Sequence, residues 1–147
     1  MKWSYEQEWY EETNVARKIR DFLESKGWVI LKFNEDKRQK GPDIIAMKNH
    51  KKLIVEVKGY PSRKYVKGEK KGELKPTHPS SQAAHWFAEA LLSVVKEKSK
   101  DREVDIGIGL PKFPRYLKLM REVSILSALG LRFYVVDENG KVEIKQA

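Results

Sequence analysis

Along residues 4–26 the apolar positions Val15, Ala16, Ile19, Phe22 and Leu23 recur at the spacing of one helical stripe, and Gly27 supplies a stop. This pattern predicts a first helix over 4–26, with Glu8 and Glu12 projecting along the same stripe while Glu6 and Glu24 point elsewhere. WVILKF at 28–33 reads as a strand, and the polar, basic stretch 34–41 as a loop. After Pro42, DIIAMK (43–48) and KLIVEVK (52–58) are separated by a short turn at Asn49, His50 and at most Lys51, which predicts a β-hairpin. Residues 59–79 mix Gly, Pro and Lys with no sustained period and read as a mobile basic loop. Ser80 or Ser81 is placed to cap a second helix with Ala83, Ala84, Phe87, Leu91, Val94 and Val95 inward; Gln82, His85 and Glu89 fall on its polar face. VDIGIGL (104–110) is nearly continuous in apolar residues, as a strand covered on both faces is. Pro114 opens a third helix carrying Leu117, Met120, Val123 and Leu126 inward, and Gly130 ends it. LRFYVVD (131–137) is a strand, and the turn at 138–140 leads into KVEIK. The predicted order is α-β-β-β-α-β-α-β with a further short strand: an α/β fold in which helices flank a mixed sheet.

The length of 147 residues suits one domain spanning 1–147, and 40% hydrophobic residues suffice for its core. No run approaches the ~18 apolar residues of a membrane span, and the acidic start lacks a signal peptide's apolar stretch. A soluble cytoplasmic protein without a membrane partner is therefore expected. Zero cysteines exclude disulfides, thiol nucleophiles and cysteine zinc sites, and neither HExxH nor GxxxxGK occurs. The net charge of +9 is concentrated, because residues 27–75 hold 14 basic and 6 acidic side chains and the flanking segments are nearly neutral. A basic region containing Tyr60 and Tyr65 suits a phosphate backbone; a solvated Lys/Glu-rich surface is the plain alternative.

Alternation along 52–58 puts Ile54, Glu56 and Lys58 on one face and Leu53, Val55 and Val57 on the other. With Asn49 and His50 as a two-residue turn, paired positions sum to 99 and Asp43 lies opposite Glu56, Cβ atoms ~5 Å apart. A register differing by two sets Asp43 opposite Lys58 instead, still a diagonal step from Glu56. Two carboxylates with a nearby carbonyl make an oxygen site for Mg²⁺ or Mn²⁺, and an adjacent lysine can orient water or offset developing negative charge. A surface ion pair at a strand end is the competing structural account.

The combination GPDIIA followed by IVEVKG, that is Pro42-Asp43 and then Glu56, Val57 and Lys58, resembles the PD-(D/E)XK nuclease superfamily. The predicted element order is similar as well, so the resemblance spans about residues 8–137. It implies a restriction-endonuclease-like αβββαβ core, with a further helix and C-terminal strands, and divalent-metal cleavage of phosphodiester bonds. Carried over residue by residue, it makes Asp43 and Glu56 metal ligands, the Val57 carbonyl a further ligand, and Lys58 the motif lysine that activates or positions water. Glu12, three residues before Val15, is the candidate first-helix acid, with Glu8 as second choice, and Gln82 resembles a glutamine that some branches place near the site. Under this reading Arg63, Lys64, Lys67, Lys70, Lys71 and Lys75 hold the substrate backbone, and Tyr60 and Tyr65 are candidates for stacking on bases.

The expected function is a metal-dependent nuclease acting on DNA, directed by structure more than by sequence, because a short chain has no added recognition domain. A binding module that keeps the fold without cutting is the alternative. An RNA-directed nuclease would use the same chemistry, which composition does not distinguish. Cutting both strands in one encounter often uses two sites, so a twofold homodimer fits, though no residue specifies its interface.

Overall fold

The computed structural model describes residues 3–35, 40–76 and 78–146. Its elements run α1 (Glu12–Ser25), β1 (Val29–Phe33), β2 (Ile44–Lys48), β3 (Lys51–Val57), α2 (Pro79–Lys100), β4 (Asp105–Pro111), α3 (Pro114–Glu122), β5 (Arg132–Val136) and β6 (Val142–Gln146). The expected αβββαβ order is therefore the observed one, followed by a third helix and two strands. No helix among the described residues is long and apolar enough to cross a membrane.

The six strands lie side by side in chain order. β1, β2 and β3 are antiparallel neighbours, β3, β4 and β5 are parallel, and β6 returns antiparallel to β5. Parallel neighbours require a crossover, and α2 and α3 provide the two that this order needs. Alternation then assigns the faces. Leu53, Val55 and Val57 of β3 pack with Val15, Ala16, Ile19 and Leu23 of α1. Ile54, Ile106, Ile108 and Phe133 face the other way, onto Phe87 and Val94 of α2 and Tyr116 of α3. Glu56 and Lys58, in phase with Ile54, consequently point to the α2 side of the sheet.

On β4 the face toward α1 is left to glycine. A Cβ built on Gly109 collides with the end of the Ile19 side chain, so the missing side chain is what lets α1 lie directly on the sheet.

Several boundaries depart from expectation. The first helix begins at Glu12, because Trp3, Tyr5, Trp9 and Tyr10 pack on one another and on Phe113 instead of continuing a helical stripe. A short 3-10 turn at Tyr5–Gln7 precedes it. Glu11 caps α1, its Oε1 accepting the N–H groups of Thr13 at 2.8 Å and Asn14 at 3.3 Å. The second helix begins at Pro79, with the His78 ring, not Ser80 or Ser81, capping it by accepting the Ser80 N–H at 3.2 Å. The third helix stops at Glu122 and tightens into a 3-10 segment, Ser124–Leu129, so Val123 and Leu126 are only partly buried. Residues 63–75 close on themselves through Tyr65 N–H to the Glu73 carbonyl (2.9 Å) and Lys75 N–H to the Arg63 carbonyl (2.7 Å). Part of the segment 59–79, read as a mobile basic loop, is thus a small hairpin-like excursion. Of the expected loop at 34–41, residues 36–39 lie outside the described residues.

Replacing Gly109 with Ala is expected to lower the unfolding free energy by about 1–3 kcal/mol through overpacking against Ile19. Urea denaturation checks this; an unchanged midpoint would show that α1 can move outward without loss.

Candidate active site

The β2–β3 turn is made by Asn49 and His50, both left-handed at φ 51° and 65°, as a two-residue type I′ turn requires. Partners run from Lys48 with Lys51 to Ile44 with Val55, so the next position outward sets Asp43 opposite Glu56. Of the two registers considered from sequence, the one with sum 99 is observed. Asp43 Oδ2 accepts the Val57 N–H at 2.7 Å, and the Asp43 carbonyl accepts the Asn34 N–H at 2.9 Å, tying the carboxylate to β3 and its backbone to the end of β1. In extended backbone the N–H and C=O of one residue point the same way, so the Val57 carbonyl also faces the Asp43 side.

Asp43 and Glu56 face each other across the hairpin, close enough for the charge of Asp43 to act on the ionisation of Glu56. Burial first, and the Asp43 charge next, push Glu56 up to about 8. Asp43 is raised too, by burial, with the Val57 N–H as the main opposing influence. Lys58 pulls both carboxyls down, and the charge of Glu12 pushes Glu56 further up. Two acids with their ordinary values displaced upward beside a lysine are a frequent mark of a functional site.

Lys58 is anchored at both ends. Its N–H donates to the Gly109 carbonyl at 3.0 Å, and its Nζ lies 3.1 Å from Glu89 Oε2 on α2. The lysine side chain is only 19% exposed against 65% for Glu89, so the pair spans from the site to its rim. Next in the chain, Gly59 permits a close approach: a Cβ there would stand 2.6 Å from the Glu12 nitrogen and 2.7 Å from the Tyr10 carbonyl oxygen. Tyr116 and Tyr5 donate their hydroxyls to the Gly59 and Tyr60 carbonyls, each at 2.6 Å. Burial pushes both phenols well above their ordinary range, so they remain donors. These contacts seat the first turn of α1, and with it Glu12, against the strand that carries Glu56.

Glu8 lies outside α1, and its Oε1 accepts the Trp3 indole N–H at 3.0 Å. Gln82 sits in the first turn of α2 and its Oε1 accepts from Lys75 Nζ at 3.4 Å, which places it toward the basic excursion. Seven residues separate Gln82 from Glu89, roughly 10 Å along the helix on the same face. Arg63, Lys67 and Lys71 are exposed; Lys64 Nζ lies 5.3 Å over the Trp3 ring and Lys70 Nζ 5.7 Å over Tyr65. Tyr60 stacks on Phe113 at 3.9 Å between centroids.

Glu89 falls on the polar face of α2 with no local sign of a role, since its pairing with Lys58 joins residues 31 apart. Glu11 carries little signal in the sequence because glutamate is a poor N-cap residue, and Gly59 none because nothing local marks a close approach.

Among the described residues no group of three or more His, Asp or Glu side chains is gathered as a ready ligand set, and Glu12 acts on Glu56 through its charge. The donor set at the hairpin end is two carboxylates and the Val57 main-chain carbonyl, which points to the Asp43 side of β3. That set fits a hard cation of the Mg²⁺ kind, which takes one or two carboxylates and completes its shell with water and phosphate. The raised pair is what such a site is without positive charge.

The pH dependence follows. Folded Glu56 keeps a proton that the unfolded chain releases near 4.5, so folding stability is favoured at the acid end and declines as pH rises toward about 8. Thermal melts in chelator from pH 5 to 8 should show this decline, flattened in Glu56→Gln; equal slopes in the two proteins would contradict it.

No protein-family model matches the chain, and no curated protein matches its sequence. Among solved structures it is similar to an fdxN element excision controlling factor protein from Anabaena variabilis, with TM-score 0.53 and 15% identity, covering 88% of this chain and 96% of that one. An XisH family protein from Nostoc punctiforme aligns at TM-score 0.49 and 15% identity, over 89% of this chain and 94% of that one. At this identity the first likeness shows a shared fold.

Proposed function

We propose that this chain is a divalent-metal-dependent nuclease that hydrolyses phosphodiester bonds in DNA, directed by the structure of its substrate. The observation that carries the reading is the carboxyl pair Asp43–Glu56 with Lys58 in phase beside it, at the end of a register-locked hairpin. Asp43, Glu56 and the Val57 carbonyl would hold Mg²⁺ or Mn²⁺. When bound, the cation supplies the positive charge that polarises a phosphoryl oxygen and acidifies a water.

The chain's own residues do the rest. Val57 N–H fixes one oxygen of Asp43 and so sets the orientation of the carboxylate toward a ligand. Glu89 holds the Lys58 ammonium at the mouth of the site, where it can orient water or offset charge developing on the phosphate. Glu12, seated by Gly59, adds negative charge beside Glu56 and so favours a cation there. The exposed Arg63, Lys67 and Lys71, on the excursion that follows the Lys58 strand, suit the substrate backbone. DNA is favoured because the neighbour of like fold is a factor controlling excision of the fdxN element.

The test is an end-labelled panel of single-stranded, duplex, flap and four-way-junction DNA with matching RNA, in Mg²⁺, Mn²⁺ or chelator. Asp43→Asn keeps an oxygen for the Val57 N–H while removing the charge. It should fold normally and lose on the order of 10²–10³-fold in cleavage rate, the several kcal/mol a metal site supplies. Chelator should do the same to wild type. Full cleavage by folded Asp43→Asn would overturn the reading, and binding without cutting in every metal would make the chain a non-catalytic module.

A further inference from the structure

The N-terminal aromatics and the residues after Lys58 enclose a cleft of about 520 Å³ lined in part by Trp3, Tyr10, Tyr60 and Phe113. Tyr60 and Phe113 lie parallel within 5°, and Tyr10 meets Phe113 edge-on at 5.4 Å. Arg63 and Lys64 also line the cleft. It adjoins the carboxyl pair through the backbone: Tyr60 is two residues beyond Lys58, Tyr10 two before Glu12, and the Tyr60 N–H donates to the Tyr10 carbonyl at 2.9 Å.

Phosphate contact alone asks for cations and N–H groups, not for a cluster of partly exposed aromatic rings, in which Phe113 stacks between Tyr60 and Trp9 and Lys64 lies over Trp3. Rings beside cations answer to an unstacked base and its phosphate together, the combination used by single-strand binding surfaces. The volume lies in the range of small-molecule sites, and a paired base cannot enter it without leaving its duplex. We infer that this cleft receives an unpaired nucleobase of the substrate strand, with Arg63 and Lys64 on the adjoining phosphates, so that the preferred substrate is a duplex bearing a single-stranded segment. The inference rests on the nuclease reading for the position of the scissile bond, while base capture itself needs no cleavage.

Fluorescence anisotropy of the full chain in chelator, with duplexes that differ only in a short overhang, tests it. Wild type should bind the overhang duplex about tenfold more tightly than the blunt one, the size of a base–aromatic stack. Abasic nucleotides in the overhang, which keep the phosphates and remove the bases, should abolish that ratio without any change to the protein. Trp3→Ala should lower it severalfold. Equal affinity for the two duplexes, or a preference that survives abasic substitution, overturns the inference. The two readings fail separately: a chain that never cuts yet keeps the base-dependent ratio loses only the nuclease reading, and one that cuts without it loses only the cleft.

Discussion

Asn49 and His50 constrain everything at the site, because two successive left-handed residues allow the β2–β3 hairpin only one register. A slip of one residue would turn Glu56 into the α1 core and bring Val55 or Val57 to the α2 side. Burial of Leu53, Val55 and Val57 opposes that slip from within, so the turn and the core specify the same pairing. The juxtaposition of Asp43 with Glu56 is therefore a by-product of how the hairpin satisfies its hydrophobic face. Only the presence of acids at those two positions is left to be explained by chemistry.

That presence is unfavourable on its own. Two half-buried carboxyls facing each other resist ionisation, and the chain adds Glu12 nearby while offering Lys58, Lys32 and the Val57 N–H in compensation. The pair stands beside a segment of strongly positive charge, so an acidic cluster and a broader basic surface lie close together along the chain.

The hairpin, its register and the faces of β3 were legible from sequence because each follows from period and turn chemistry over a dozen residues. The element order was legible for the same reason. What escaped depends on contacts between distant segments. The stripe through Glu8 and Glu12 is a fair helical pattern, yet Trp3, Tyr5, Trp9 and Tyr10 gain more by packing around Phe113 than by extending α1, so the helix starts where Glu11 can cap it. Glu89 and Lys58 are far apart in sequence, and the basic stretch gave no period because its order comes from a few backbone bonds across Gly68 and Gly72. Gly59 reads as the first residue of a loop and Gly109 as an ordinary strand glycine, and only the packing of α1 shows that a side chain would meet backbone at the first and Ile19 at the second.

The N-terminal segment then has a role that a cap or a linker would not need. Tyr5 holds the Tyr60 carbonyl, Tyr10 accepts the Tyr60 N–H, and the next turn brings Glu12 over Gly59, so a single stretch of backbone serves both the aromatic cleft and the acidic pocket. Tyr116 ties α3 to the same point through the Gly59 carbonyl. Displacing this segment would disturb the charge around Glu56 and the walls of the cleft together. Rigid coupling of that kind is what a site needs if the position of a captured base is to determine which phosphate meets the carboxyl pair.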